Sequence, residues 1–211
     1  MIIARTYPFE PTRLAFEELK DYLRRVSDQL HVAAEAEKQW VHDHYAGDDD
    51  VDDVAMDFMD IDEQYETVFR PLLLQSVVVL TYSQMESELK RFADLLRERR
   101  ALPTSMSQFK GDVVERSQTF FKTFAIPVFE PVELGALSEL TLVRNCIVHN
   151  AGVVSGTNKE TALRQAVARL NSLSMDHADR IQPTLEYCET QVCFLADVFT
   201  RLYAANGLRV A

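Results

Sequence analysis

The chain has 211 residues, and 47% of them are hydrophobic, which is enough for one domain with a real core. Its formal charge of −11 excludes a broad basic face of the kind that holds nucleic acid non-specifically. Gly and Pro number only 6 and 7, so the composition favours helices over a turn-rich β fold.

The N-terminal residues, MIIARTYPFEP, lack the apolar segment of a secretory signal peptide. The most apolar run, at residues 71–82, is too short to span a bilayer and is broken by a Gln-Ser pair. We therefore expect a cytoplasmic protein that has no membrane partner.

The first predicted helix covers residues 11–45. Apolar side chains recur along it every three or four positions, which is the spacing of one helix face. So long an apolar stripe needs a partner helix along its length. His31, His42 and His44 lie on or beside this helix, and we interpret them as a solvated helix end. A metal site with nearby aspartates is the alternative interpretation.

An acidic segment follows at residues 47–63, with nine acidic and no basic side chains. Removing nine negative charges from −11 leaves −2, so the rest of the chain is nearly neutral. The segment lacks the glycine and glutamate of an EF-hand calcium loop at the required positions. We interpret it as a solvated acidic linker. An alternative is a cover that mimics nucleic acid over a basic site.

A second long helix is predicted over residues 62–100, with a regular apolar stripe. Pro71 either kinks this helix or marks its true start. Arg97, Arg99 and Arg100 fall at its C-terminal end, where cations suit the helix dipole. Because they also form a dense basic cluster, phosphate binding is the alternative interpretation of these three arginines.

Further helices are predicted at residues 107–125, 133–150 and 159–173, and a last helix follows Pro183. The loop at residues 153–158 is rich in Gly, Ser and Thr and is placed to gate access to the neighbouring helix end. These elements predict an all-α fold, an up-and-down bundle of four to six helices with long antiparallel first, second and last helices. We expect one helical domain over residues 1–211 that includes the acidic linker at 47–63.

The three cysteines, Cys146, Cys188 and Cys193, do not have the spacing of metal ligands, and we interpret them as buried free thiols. The sequence contains no Gly-rich phosphate loop, paired CxxC motif or serine-nucleophile elbow. We therefore expect neither a metal nor a cofactor.

The stretch at residues 137–152, LSELTLVRNCIVHNAG, is an apolar helical run that ends in four polar groups, Arg144, Asn145, His149 and Asn150. Arg144 falls in line with the leucines of one helix face. Burying a guanidinium without a partner is strongly unfavourable. Arg144 must therefore meet an anion, a carboxylate such as Glu86 or Glu139, or a crevice that keeps it wet.

On an ideal helix, Arg144 and His149 point about 140° apart, whereas Asn145 and His149 share a face because they are four residues apart. Two copies of the chain around a two-fold axis would bring two of each group into one cleft. We therefore expect a homodimer. The alternative is that the long arginine side chain swings round the edge of its helix.

The sequence RNCIVH at residues 144–149 resembles the Arg-Asn-x-x-x-His motif of HEPN domains (higher eukaryotes and prokaryotes nucleotide-binding). The helical layout over residues 62–205 is similar too. The resemblance implies an all-α, commonly homodimeric domain and a metal-independent endoribonuclease of toxin or antiviral-defence type. It also implies an RNA substrate and an antitoxin or other regulatory protein. Ala151 stands where toxins paired with a nucleotidyltransferase antitoxin carry a tyrosine, which excludes control by modification of that tyrosine.

In that family the histidine suits proton transfer, because its unperturbed pKa is near neutral. The arginine suits a phosphate, because it is always charged and its fork reaches two oxygens. The resemblance thus implies that His149 is the acid or base and that Arg144 is the phosphate clamp. Asn145 would orient the imidazole or hold a ribose hydroxyl, and Asn150 is a supporting candidate.

The resemblance also implies that an acidic residue on the facing helix joins the site, and Glu86 is the candidate. A surface ion pair between Glu86 and Lys90 is the alternative. Two other hypotheses about the whole protein remain. The chain is a non-catalytic HEPN-like module that binds a nucleotide or a protein, or it is a helical interaction protein whose acidic segment at 47–63 is the binding tail.

Overall fold

A computed structural model describes residues 9–45, 51–127 and 129–208, with the backbone alone described at 51–55. The helices are α1 (Glu10–His44), α2 (Val51–Gln64), α3 (Arg70–Arg100), α4 (Val113–Thr123), α5 (Pro131–Asn150), α6 (Glu160–Arg169) and α7 (Leu185–Ala205). Two short strands, β1 (Leu173–Met175) and β2 (Ile181–Pro183), pair antiparallel. The predicted all-α bundle is confirmed. The expectations for residues 1–8 and for Gly47 lie outside the described residues.

The long helices α1, α3 and α7 form the centre of the bundle and bury large side chains such as Phe16, Phe92 and Phe199, and α4 adds Phe120 and Phe121. Helix α1 is antiparallel to α7, since Phe16 near its start stacks on Phe199 near the end of α7, with ring centroids 5.7 Å apart. Helix α7 runs parallel to α3, because the rings of Phe92 and Tyr203, both near the helix ends, lie 5.0 Å apart. The first helix is therefore antiparallel to the other two, as predicted. The predicted antiparallel arrangement is wrong for α3 and α7, which are parallel to each other.

The acidic segment forms a helix, so the predicted linker is wrong for residues 51–63, while residues 47–50 lie outside the described residues. Ile61 of α2 is buried with Ala34 and Val41 of α1 in a small separate cluster. Lys38 of α1 forms an ion pair with Asp62 at 2.5 Å. Phe58 and Ile61 of α2 pack against α1, whereas Met56 and Met59 are exposed. The acidic composition of the segment masks this short apolar pattern.

One π-helical turn, Tyr65–Phe69, joins α2 to α3 without interrupting the helical path. Pro71 lies in the first turn of α3, immediately after this turn. A proline cannot donate a backbone hydrogen bond, and its ring collides with the carbonyl four residues earlier in a regular helix. The wider π turn relieves that collision. The predicted start at Pro71 is therefore close to the observed one, because α3 begins at Arg70 and the π turn joins it to α2.

The third predicted helix begins later than expected, at Val113, because Asp112 caps it. The Asp112 carboxylate accepts a hydrogen bond from the backbone N–H of Glu115 at 2.9 Å, and the Glu115 carboxylate accepts one from the N–H of Asp112 at 3.1 Å. Gly111 precedes the cap with a φ of 109°, a backbone angle that favours glycine. This capping box fixes the residue at which α4 begins.

Helix α5 ends where a short hairpin packs against it. Ala151 is left-handed with a φ of 49°, and the N–H of Gly152 donates to the carbonyl of Cys146 at 3.1 Å. The carbonyl of Gly152 then accepts from the N–H of Ile181 at 2.9 Å, which ties the end of α5 to β2. The sequence did not predict this hairpin. Its three-residue strands are too short to show an alternating pattern.

The predicted buried free thiols are confirmed for Cys146 and Cys188, whereas Cys193 is only partly buried. In the described part of the chain, no helix is long and apolar enough to cross a membrane.

Candidate functional site

Arg144 lies on the side of α5 that faces α3. Its guanidinium carbon is 4.6 Å from the centroid of the Tyr82 ring, and its Nη1 donates to Oδ1 of Asn145 at 2.9 Å. The Nε of Arg144 is buried and has no hydrogen-bond partner among the described residues. The guanidinium is thus held by an aromatic face and one amide.

Neither carboxylate considered from the sequence pairs with Arg144. Glu86 forms an ion pair with Arg116 of α4 at 3.6 Å, and Glu139 pairs with Arg169 of α6. No other carboxylate of the described residues forms an ion pair with Arg144. The positive charge of Arg144 is therefore not neutralised by a carboxylate within the described chain.

Tyr82 is 5% exposed and supplies the ring on which the guanidinium rests. Burial raises the pKa of Tyr82, the nearby Glu86 carboxylate raises it further, and the Arg144 charge lowers it. The phenol accordingly stays neutral at physiological pH. A cation over a neutral aromatic face gains about 0.5–2 kcal/mol, depending on how far both groups are desolvated.

His149 lines a groove of about 550 Å³ that runs over α5, between α4 on one side and α6 with its preceding loop on the other. The side chain of His149 is exposed, and so is that of Asn150. Asn145 lies in the same groove, four residues before His149, as expected for one helix face. The polar groups that line it are Asp112, Glu115, Gln118, Ser138, Thr141, Asn145, His149, Asn150, Thr157, Asn158 and Lys159.

Asn145 connects the two halves of the motif. Arg144 faces α3 and does not line the groove, whereas His149 does. Asn145 lines the groove and also accepts the hydrogen bond from Arg144. Within one protomer, Asn145, His149 and Asn150 therefore line the same groove. Arg144 is connected to this groove only by its hydrogen bond to the Asn145 amide.

Glu86 lies near the Arg144 side of the motif. Its ion-pair partner is Arg116 of α4, and not Lys90 as the alternative proposed. The Glu86 carboxylate also acts on the phenol of Tyr82, as the raised pKa of that group indicates. Glu86 thus belongs to the surroundings of Tyr82 and Arg144, outside the groove that contains His149.

The arginine cluster at the end of α3 supports the C-terminal end of α7. Nη1 of Arg99 donates to the carbonyl of Gly207 at 2.6 Å, and Nη2 of Arg100 donates to Oδ1 of Asn206 at 3.1 Å. Arg97 is fifteen residues beyond Tyr82, or about 22 Å along the helix axis. These contacts fit the helix-end interpretation, and they separate the cluster from Arg144.

The loop wall of the groove is fixed by a group of charged side chains. Arg164 of α6 pairs with Asp179 at 2.6 Å and with Glu160 at 3.0 Å, and the Ser155 hydroxyl also donates to Asp179. The hydrogen bond from Arg164 holds the pKa of Asp179 below its usual value, and Ser155 acts in the same direction. Glu160 accepts from the backbone N–H of Gly156 at 2.9 Å. The wall is thus preformed.

The three histidines of the first helix are exposed, and the His44 ring stacks on Trp40 with centroids 4.9 Å apart. Within the described residues, no three His, Cys, Asp or Glu side chains converge as metal ligands would. His42 and His44 match a solvated helix end, whereas His31 is an exposed residue inside α1.

Sequence reasoning missed Tyr82 as a partner of Arg144, and it missed Gln118, Asn158 and Lys159 as groove residues. Tyr82 falls in the apolar stripe that the sequence predicts for the helix at residues 62–100. Which stripe residue faces the arginine depends on how α3 and α5 pair, and that pairing is not encoded in local spacing.

Comparison with known protein families, with curated proteins and with solved structures gives no match for this chain. The HEPN resemblance therefore rests on the motif at residues 144–149 and on the helical layout.

Proposed function

We propose that the chain is a metal-independent endoribonuclease whose active site is completed in a homodimer. The observation that carries the proposal is the state of Arg144. Its charge is not neutralised by any described carboxylate, its Nε is unpartnered, and Asn145 links it to the groove of His149. A charged guanidinium held in this way is suited to an anionic ligand such as a phosphodiester.

The chemistry uses groups that this chain carries. The 2′-hydroxyl of a ribose gives up its proton to a base, and its oxygen attacks the adjacent phosphorus to form a 2′,3′-cyclic phosphate. The bond from phosphorus to the 5′-oxygen breaks, and the leaving oxygen takes up a proton from an acid. His149 transfers protons in this step, because imidazole exchanges them near neutral pH. Arg144 stabilises the charge on the phosphorane oxygens, and Asn145 orients the neighbouring groups.

The proposal includes a homodimer because the two groups are separated. Arg144 and His149 lie on different sides of α5, and a second copy of the chain would bring one of each close together. Val148 lies between them on the helix surface and is 44% exposed. In the proposed dimer this exposed valine would contact the second copy of the chain.

The test is cleavage of RNA by the purified protein in the presence of a chelator. Wild-type protein cuts, whereas the His149→Ala and Arg144→Ala variants do not. His177→Ala is the matched control, because His177 is exposed and lies on the hairpin, outside the groove. RNA that stays intact with wild-type protein, with and without added metal, contradicts the proposal.

A toxin or antiviral-defence role and a cytoplasmic location belong to the same proposal. Induced expression of wild-type protein then arrests growth, and expression of His149→Ala does not. Equal growth of the two strains contradicts the toxin role. An antitoxin or regulatory protein is the expected binding partner in the cell.

A second candidate function is a non-catalytic module that binds a nucleotide or a partner protein. The observation that favours it is that the groove is formed within one protomer and lacks Arg144. Its volume of about 550 Å³ lies within the range of about 300–1,000 Å³ typical of small-molecule sites. Thermal stabilisation by nucleotides without RNA cleavage distinguishes this function from the nuclease.

A further inference from the structure

We propose that the groove over α5 binds one unpaired nucleotide and selects a base that carries an exocyclic amino group. This inference rests on the proposed function, whose substrate it narrows to single-stranded RNA with adenine, guanine or cytosine at one position. It also applies to the second candidate function, since a free nucleotide would occupy the same groove.

The groove is electrically polarised across its width. Its α4 wall carries the carboxylates of Asp112 and Glu115, and the opposite wall carries the ammonium group of Lys159. His149 lies on the floor between them. A phosphate is repelled by the α4 wall and attracted by Lys159. A bound nucleotide therefore places its phosphate toward Lys159 and His149, and its base toward α4.

The α4 wall presents hydrogen-bond acceptors to that base. Oδ1 of Asp112 and Oε2 of Glu115 are used in the capping box, and the second oxygen of each carboxylate has no hydrogen-bond partner among the described residues. An ionised carboxylate only accepts hydrogen bonds. It therefore favours the amino groups of adenine, guanine and cytosine. It disfavours uracil, whose N3–H donor lies between two carbonyl oxygens that the carboxylate repels.

The shape of the groove suits an unpaired base. The floor carries apolar surface from the partly buried Leu142, and the α6 side carries apolar surface from the exposed Ala162. The faces of a flat ring can rest on these side chains. The amides of Gln118 and Asn158 make no side-chain hydrogen bonds with other described residues, so they remain free to contact a ligand. A cleft between helices admits a single extruded base, and sequence-specific RNA recognition commonly uses such bases.

The test exchanges the two carboxylates for amides. The double variant Asp112→Asn with Glu115→Gln keeps the helix cap, because Asn caps as well as Asp and Gln completes a capping box. It replaces acceptors with groups that also donate. The matched control is Asp60→Asn with Glu63→Gln, which makes the same charge change at two exposed positions of α2.

Binding of CMP and UMP is measured by calorimetry, because these pyrimidines differ in a 4-amino against a 4-oxo group. We expect wild-type protein to bind CMP more tightly than UMP by about fivefold or more. The control keeps that preference, and the double variant loses or inverts it. Equal binding of CMP and UMP by wild-type protein, failure to bind either, or an unchanged preference in the double variant overturns the inference.

Mapping of RNA cleavage sites separates this inference from the proposed function. Cleavage without any base preference overturns the inference and leaves the nuclease intact. Selective binding of CMP without cleavage of any RNA overturns the nuclease and supports the groove as a nucleotide site.

Discussion

Tyr82 and Arg144 form a contact between α3 and α5 in which the guanidinium carbon lies 4.6 Å from the ring centroid. The contact links a buried side chain of the core to the arginine of the motif. It also fixes the guanidinium where Asn145 can accept its hydrogen bond. Tyr82 thus positions the group that the proposed chemistry needs, without itself lying in the groove.

Tyr82→Leu should lower RNA cleavage by about tenfold or more, because Arg144 loses the aromatic face that orients it. Tyr82→Phe should cut at nearly the wild-type rate, since it keeps the ring. The measurement is kcat/KM on one short RNA, with circular dichroism to confirm that both variants are folded. Equal activity of the Leu and Phe variants would show that the ring does not position Arg144.

Mixing two inactive variants tests whether the site is shared between protomers. If each site takes Arg144 from one subunit and His149 from the other, an Arg144→Ala/His149→Ala heterodimer keeps one intact site. Random exchange of subunits makes half of the dimers mixed, and each mixed dimer has one intact site of its two. The mixture should therefore show about a quarter of wild-type activity. Mass spectrometry confirms that mixed dimers have formed. If activity does not recover in such a sample, both groups of a site lie in one subunit.

Ile61→Asp should detach α2 from α1. Ile61 is 6% exposed and packs on Ala34 and Val41, so a buried carboxylate there is strongly unfavourable. Met59→Asp is the matched control, because Met59 lies on the outer face of α2 and is 70% exposed. Loss of helical circular dichroism in the first variant alone checks the prediction. The nuclease hypothesis expects the Ile61→Asp variant still to cleave RNA. The hypothesis that the acidic segment is a binding tail expects the variant to lose partner binding.

Alkaline pH should destabilise the fold partly through Cys188. Burial raises the pKa of Cys188 from 9.0 to about 12. The unfolded chain therefore loses this proton at a lower pH than the folded chain does. The stabilising contribution is fully present below about pH 9 and is lost as the pH rises toward 12. Urea unfolding of wild type and Cys188→Ala between pH 7 and 10 should show a smaller pH dependence in the variant. Parallel curves would mean that the thiol is not buried as described.

Much of the fold was predictable because the long helices carry continuous apolar stripes, as in α1, α3 and α7. Helix α2 was missed because eight aspartates and a glutamate within residues 47–63 mask the spacing of Phe58 and Ile61. The hairpin was missed because its strands are only three residues long. Local spacing encodes helix faces but not which faces meet.

In the candidate site, too, local spacing predicted which residues share a helix face but not which segments pack together. The i, i+4 spacing of Asn145 and His149 placed them on one face, and both line the groove. The need of Arg144 for a partner was also predictable, but the partner is the ring of Tyr82 in place of a carboxylate. The groove walls come from α4 and from the loop before α6, and only the tertiary fold brings these segments together.

Helix α1 is 35 residues long and belongs to two unequal cores. Phe16 and Leu23 anchor its first half in the main bundle, whereas Ala34 and Val41 meet only the small cluster with α2. The outer half should therefore exchange its amide hydrogens through local openings, while the inner half exchanges only when the whole bundle opens. A single continuous helix would then show two levels of protection, with the boundary near its middle.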